Sequence, residues 1–341
     1  MSLGLNEYFE QNRDRLSPLL IMTHDHPDPD AMASAYGLHL LATEQYGIRS
    51  RMVYGGQLGR MENKTMMREL KIPIQPLRAR DLQGDVHVAL VDTQPSFSNN
   101  RFPSDRKADI VIDHHPRDRQ TRADFSVIRE AYGATSTIVF EALTEVSFRI
   151  SRSLATALVY GISSETQSLG REASPEDIAA YMQLYPQILT RSLARIQHPP
   201  RSDDYFKTVG VAVRNAFVCG RVIGVHLGRI DTPDLVSQIA DFLLTCHGKT
   251  WSLCTGRYHG RLHISLRTSN VKAEAGRILQ NLVGVKGAAG GHDMIAGGAI
   301  ALSEGATEEE WLRLEDGLAN GLIQRLGYKR EAPFDKAFPT E

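Results

Sequence analysis

The chain has 341 residues, 42% hydrophobic and 23% charged, with 39 Lys and Arg against 40 Asp and Glu and a net charge of −1. This composition excludes a mostly disordered, collagen-like or coiled-coil chain, and a soft prior of roughly 150 residues per domain suggests about two domains. A neutral chain also lacks the broad basic footprint that grips long nucleic acid, and no apolar run reaches the roughly 18–20 residues of a membrane helix. Residues 1–15 are polar where a signal peptide carries its apolar core. Cys219, Cys246 and Cys254 form no C-x-x-C pair and are read as reduced thiols in a cytoplasmic protein.

In chain order, short apolar runs alternate with helix-like stretches. Strands are predicted over 18–23, 48–54, 86–92 and 108–115, with helices over 31–47 and 61–70 between them. Such alternation predicts parallel βαβ units. Residues 134–143 and 153–162 read as packed helices, and Ser174-Pro175-Glu176-Asp177 is a helix start. The Pro-Pro pair in 195–206 reads as a linker. Beyond it come strands over 219–230 and 251–269, the second a hairpin turning at His259-Gly260. A helix over 273–284, a glycine-rich loop over 284–298 and a strand follow. Thr307 and Glu310 form a capping box that opens the last helix. The closing residues read as an arm or disordered tail.

Three clusters each follow an apolar strand: His24, Asp28 and Asp30; then Asp92; then Asp113, His114 and His115. In open α/β sheets ligands bind outside the carboxyl ends of the strands, so the clusters are expected to converge on one crevice. Carboxylates and imidazoles at strand ends suit Mn²⁺, Mg²⁺, Fe²⁺ or Zn²⁺, and so many carboxylates on few loops repel one another without a cation. Two cations fit better than one, because bridging carboxylates hold a pair that activates water for phosphoryl displacement. Any one cluster alone reads equally well as a helix cap or a surface feature. In the C-terminal half, Arg267 can fork two hydrogen bonds to phosphate, and glycines let backbone N–H groups approach one. Arg257, His259, Arg261 and His263 alternate on the hairpin and read as a solvated strand face, with a nucleotide-binding basic face as the alternative.

The ordered set His24-Asp25-His26-Pro27-Asp28-Pro29-Asp30, Asp92, Asp113-His114-His115 and the downstream Gly290-Gly291-His292 resembles the DHH phosphoesterase superfamily with its companion DHHA1 domain. The likeness is nearest to its nanoRNase and 3′-phosphoadenosine 5′-phosphate phosphatase subgroup. The resemblance implies an α/β DHH domain with a parallel sheet and flanking helices over 1–195. A linker over 196–210, a smaller mixed α/β DHHA1 domain over 211–330 and a tail over 331–341 follow, with the active site in the cleft. It implies two Mn²⁺ per chain, Mg²⁺ being an alternative. His24, Asp28 and Asp92 hold one, and Asp30, Asp92, His114 and Glu165 hold the other, with Asp92 bridging. His115 faces the substrate phosphate and Asp113 orients a histidine of its own motif. Arg267, Gly290, Gly291 and His292 bind substrate. The implied substrate is a short oligonucleotide or nucleotide, without membrane or long nucleic acid, and a homodimer is compatible with the family.

Three positions depart from the family pattern: His26 stands in place of Asn, Glu165 in place of Asp, and Ala289 in place of a glycine. Glu165 is an oxygen donor one methylene longer, so a catalytically weakened nucleotide-binding regulator stands as one alternative. An exopolyphosphatase- or pyrophosphatase-like hydrolase stands as the other.

Overall fold

The computed structural model describes residues 4–339 except 57, 104, 171, 271–272, 292–293, 304 and 329–333. The chain divides into two compact units, Met1–Pro200 and Arg201–Glu341. The N-terminal unit runs α1 (Leu5–Asn12), β1 (Leu19–Met22), α2 (Pro29–Leu40), β2 (Ser50–Tyr54), α3 (Met61–Glu69), β3 (Ile74–Pro76), β4 (His87–Val91), β5 (Ala108–Asp113), β6 (Ala123–Ile128), α4 (Thr135–Glu145), α5 (Arg152–Glu165), α6 (Pro175–Leu184) and α7 (Thr190–Gln197). A π-helical turn, Leu41–Gln45, prolongs α2.

Its six strands pair in the order β3-β2-β1-β4-β5-β6, all parallel. Both faces of the sheet are covered, which explains why every residue of β1 and β5 is buried, β1 as a continuous apolar run and β5 with an apolar centre, Ile110-Val111-Ile112, between two aspartates. On one face Ile21, Ala89, Val91, Ile110 and Ile112 pack with α2, α4 and α5, whereas Leu20, Met22, Leu90 and Val111 form a smaller cluster on the other. The order of strands reverses between β1 and β4, so their carboxyl ends flank the switch-point crevice in which open α/β sheets bind ligands. Helix α5 comes close to α2 and α4 because Gly161 has no side chain. A Cβ there would lie 2.5 Å from Ser136 Oγ and 3.2 Å from Asp30 Cα.

The C-terminal unit runs α8 (Asp203–Asn215), β7 (Phe217–Cys219), β8 (Val222–Arg229), α9 (Asp234–Leu244), β9 (Trp251–Tyr258), β10 (Arg261–Thr268), α10 (Ala275–Val283), β11 (Gly287–Gly291), β12 (Ile295–Ala301), α11 (Glu308–Arg325) and β13 (Asp335–Lys336). These strands form a seven-stranded mixed sheet, β11-β12-β10-β9-β8-β7-β13, in which β8 and β9 are parallel and the other pairs antiparallel. Leu279, Leu318 and Leu322 pack on one cluster of its core, and Val236, Ile239 and Leu243 on another. Across the described residues, no helix is long and apolar enough to cross a membrane.

Several sequence expectations need correcting. The segment 196–210 is helical from Asp203, because Ser202 caps the helix by accepting Tyr205 N–H and the Pro-Pro pair stands ahead of it. The run 219–230 is two strands, turned at Gly220 in the left-handed region (φ 54°). The glycine-rich stretch over 284–298 is chiefly two paired strands rather than a loop. Its glycines serve close packing, since a Cβ on Gly287 would lie 2.2 Å from Ala299 O. Arg257 is not on a solvated face: it is buried and forks onto Glu315, itself fully buried, and reaches Glu308 as well. The tail, in turn, supplies β13. The hairpin turn at His259-Gly260 is as expected, with φ of 44° and 68°.

Candidate metal centre

Chain leaving β1 turns through His26, whose φ of 59° lies in the left-handed region, and re-enters helix at Pro29. Asp28 caps α2, its Oδ1 accepting Ala31 N–H at 2.9 Å, which leaves Oδ2 facing His24 Nε2 at 3.7 Å. His24 Nδ1 sits 2.8 Å from the Asp25 carbonyl, an acceptor only, so Nδ1 carries a proton and Nε2 is the nitrogen turned toward the carboxylates, open to a cation once its own proton leaves. That Nε2 lies 3.6 Å from Asp92 Oδ2.

Asp92 follows β4 with a φ of 60°, a strained conformation that Asp tolerates better than most residues and that occurs at functional sites. Its two oxygens look in different directions. Oδ2 faces His24, whereas Oδ1 accepts Thr135 Oγ1–H at 2.7 Å and lies 3.7 Å from His114 Nε2 and 3.8 Å from His115 Nδ1. His114 repeats the arrangement of His24: Nδ1 lies 3.1 Å from the Tyr132 carbonyl, and Nε2 is buried with no hydrogen-bond partner. A ligating histidine has this form, its far nitrogen pinned and its near one bare.

Two groups of three therefore have donor atoms within 4.8 Å of one another, His24 with Asp28 and Asp92, and Asp92 with His114 and His115. The imidazole-to-carboxylate gaps are too long for hydrogen bonds. The bare, buried Nε2 of His114 and the mixed nitrogen and oxygen donors fit a divalent cation.

Asp30 and Glu165 stand outside those two groups but act on them electrostatically. Asp30 Oδ2 accepts Thr135 N–H at 2.7 Å and Oδ1 accepts Ser136 N–H at 2.8 Å, so the N-terminus of α4 holds its carboxylate. Burial, then the Asp92 charge, nevertheless pushes its pKa up to about 8. Glu165 ends α5, and burial followed by the Asp28 and Asp92 charges lifts it to about 7. Burial opposes charge on Asp92 too, yet His24, His115 and His114 together hold its carboxyl below the ordinary range. Burial would pull His24 down, but Asp28 and Asp92 raise it well above the usual imidazole value. In the metal-free chain, then, protons provide the positive charge that this cluster requires.

Asp113, fully buried at the end of β5, accepts His115 Nδ1–H at 2.8 Å. Burial lowers the His115 pKa, and this bond with the Asp92 charge more than offsets it, giving about 9. Sequence reasoning missed Gln94, Thr135 and Ser136. The only local signal was the small-residue start of α4 at Gly133-Ala134-Thr135-Ser136.

The other candidates lie in the C-terminal unit. Arg267 is buried on β10, its Nε donating to Asp241 Oδ1 at 2.7 Å and Nη1 to the Leu266 and Ala296 carbonyls. Gly290 and Gly291 are on β11, paired with Gly297 and Ala296. His292 lies outside the described residues. Beside the centre, Arg101 Nε donates to Asp25 Oδ2 at 2.9 Å.

An open parallel sheet with a carboxylate–imidazole cluster at its switch point defines an α/β domain whose donor set fits a divalent cation. Residues 18–162 match the model of the DHH family, N-terminal domain, so this stretch is a DHH-family domain. The chain is 35% identical over 326 residues to an uncharacterized protein of Methanocaldococcus jannaschii, covering 93% of this chain and 66% of that one. It is 27% identical over 178 residues to a probable manganese-dependent inorganic pyrophosphatase of Streptococcus equi subsp. equi, covering 48% of this chain and 54% of that one. The chain thus matches just under two thirds of the first relative and about half of the second. A solved exopolyphosphatase-related protein from Bacteroides fragilis shares the fold, with a TM-score of 0.68 at 18% identity over 94% of this chain and 96% of that one.

Proposed function

We propose that the chain is a metal-dependent phosphoesterase that hydrolyses phosphate esters of short oligonucleotides or nucleotides, as a nanoRNase, a 3′-phosphoadenosine 5′-phosphate phosphatase or both. The carrying observation is Asp92, one carboxylate whose separate oxygens face His24 and His114. His24, Asp28 and Asp92 would hold one Mn²⁺, and Asp92 with His114, Asp30 and Glu165 a second, Mg²⁺ being the alternative. A bound pair would supply an acidified water and neutralise charge on the phosphoryl group. His115, positively charged at neutral pH and braced by Asp113, meets the substrate phosphate or protonates the leaving oxygen. On this reading Arg267, Gly290, Gly291 and His292 belong to a DHHA1 domain and bind the far end of the substrate, and Arg267 must exchange Asp241 for a phosphate to do so. The enzyme would work in the cytoplasm.

The likeness to manganese-dependent pyrophosphatases favours a second reading, hydrolysis of pyrophosphate or a phosphate chain. Glu165 keeps a third, a weakened nucleotide-binding regulator. The deciding assay offers the Mn²⁺-loaded protein a 5′-phosphorylated dinucleotide, 3′-phosphoadenosine 5′-phosphate and pyrophosphate in parallel, with Asp92→Ala as blank. Mononucleotide or adenosine phosphate release that the blank lacks supports the first reading. Turnover of pyrophosphate alone selects the second, and binding without turnover selects the third.

A further inference from the structure

Gln94 lies two residues past Asp92 and is fully buried, with all four of its strong amide contacts internal. Its Oε1 accepts Asp118 N–H at 2.9 Å and Thr121 Oγ1–H at 2.6 Å. Because a backbone N–H can only donate, that end of the amide is the oxygen, and the amide orientation is forced. The Nε2 group then donates to Asp113 Oδ2 at 2.7 Å and to the Pro116 carbonyl at 3.1 Å. The other Asp113 oxygen takes His115 Nδ1–H at 2.8 Å and His115 N–H at 3.2 Å.

We propose that Gln94 is a positioning residue that fixes the His115 imidazole through Asp113. This inference rests on the phosphoesterase reading of the site. With Oδ2 clamped by Gln94, the Asp113 carboxylate cannot rotate, and Oδ1 has one place for the His115 Nδ1 proton. The ring plane and tautomer follow, and Nε2 is the nitrogen left for chemistry. Through Asp118 and Thr121 the same amide ties the chain after β5 to the end of β4, so one side chain sets the spacing between Asp92 and His115.

A merely structural plug predicts something different. Gln94→Glu keeps an oxygen facing Asp118 and Thr121 but loses the donor to Asp113, whereas Thr121→Val removes one loop contact and leaves the Asp113 clamp. Partners that orient site residues from behind typically contribute about 10–100-fold. Gln94→Glu should therefore lower kcat by about that factor with KM within about 2-fold, and Thr121→Val should leave kcat within about 3-fold of wild type. The second readout is independent of turnover. In the metal-free full chain, the hydrogen-bonded His115 Nδ1–H should give a protected, downfield proton resonance, present in wild type and Thr121→Val and absent in Gln94→Glu. Gln94→Met serves the same purpose if the Glu variant does not fold. An unchanged resonance in the Gln94 variants overturns the proposal, as does equal loss in Thr121→Val. A wild type without phosphoester turnover overturns the proposed function while the resonance still decides the role of Gln94.

Discussion

Replacing Thr135 with valine tests how the centre is held. Thr135 is the first residue of α4, has no exposed surface, and donates its hydroxyl to Asp92 Oδ1 at 2.7 Å. Valine keeps the branched shape and removes that proton, so Asp92, 2% exposed, loses its one hydroxyl donor among the described contacts. A hydrogen bond to a charged group contributes about 1.5–3 kcal/mol. For a unit of this size each kcal/mol shifts Tm by roughly 2–4 °C, so the metal-free melting point should fall by about 3–12 °C. Manganese affinity should weaken by about 10–100-fold, because the carboxylate shared by both donor groups is no longer oriented. Thr135→Ser retains the hydroxyl and should recover most of both losses, and Thr135 N–H continues to hold Asp30 in either variant. Calorimetric melting and manganese titration read the two effects. A valine variant that melts within about 1 °C of wild type and binds manganese equally well would refute the reasoning, as would a serine variant no better than valine.

Gly161→Ala places a Cβ 2.5 Å from Ser136 Oγ and 3.2 Å from Asp30 Cα, overpacking worth about 1–3 kcal/mol. Urea unfolding should show the loss and manganese titration a weakened site, and an unchanged midpoint would count against such tight packing. Glu315→Ala removes the fully buried partner of Arg257 and leaves that buried guanidinium the exposed Glu308 carboxylate, so it should cost at most about 3–5 kcal/mol, read by denaturant unfolding of the full chain. Loading the metal-free chain with Mn²⁺ near neutral pH should release protons. Burial and the Asp92 charge lift Asp30 to about 8, while Asp28 and Asp92 keep the His24 proton on against the opposing effect of burial. A cation takes both groups deprotonated, so affinity should climb as pH rises through neutrality. Calorimetry in two buffers of different ionisation enthalpy measures the release, and identical heats would sink the claim.

Strands β1, β4 and β5 were legible because burial on both faces gives each an apolar run of at least three residues, and the acidic and histidine clusters stand at or directly after their ends. Elements at the margins were not. Strand β3 is three residues ending in Pro76, and β6 carries only one buried residue in six, so neither leaves an apolar signature. Glycines carry no side chain to display alternation, which is why β11 reads as a loop. Arg257 alternates correctly on β9, but what it faces is Glu315, 58 residues on, and strand periodicity does not tell a buried acid from solvent. The same holds at the centre. Gln94 matters through an aspartate 19 positions away and Thr135 through one 43 away, contacts set by the switch-point topology.

The short pairing of β13 against β7 bears on how the C-terminal sheet meets other molecules. Asp335 and Lys336 pair with Val218 and Phe217, and the Phe334 ring stacks on Phe217 at 4.6 Å. Without that pairing, β7 would offer unsatisfied N–H and C=O groups beside an uncovered aromatic ring, a template for strand addition by another chain. Two charged residues close it at little cost in length. Removing residues 334–339 should therefore uncover the β7 edge and favour association between copies, although none of them comes near the candidate metal centre in sequence.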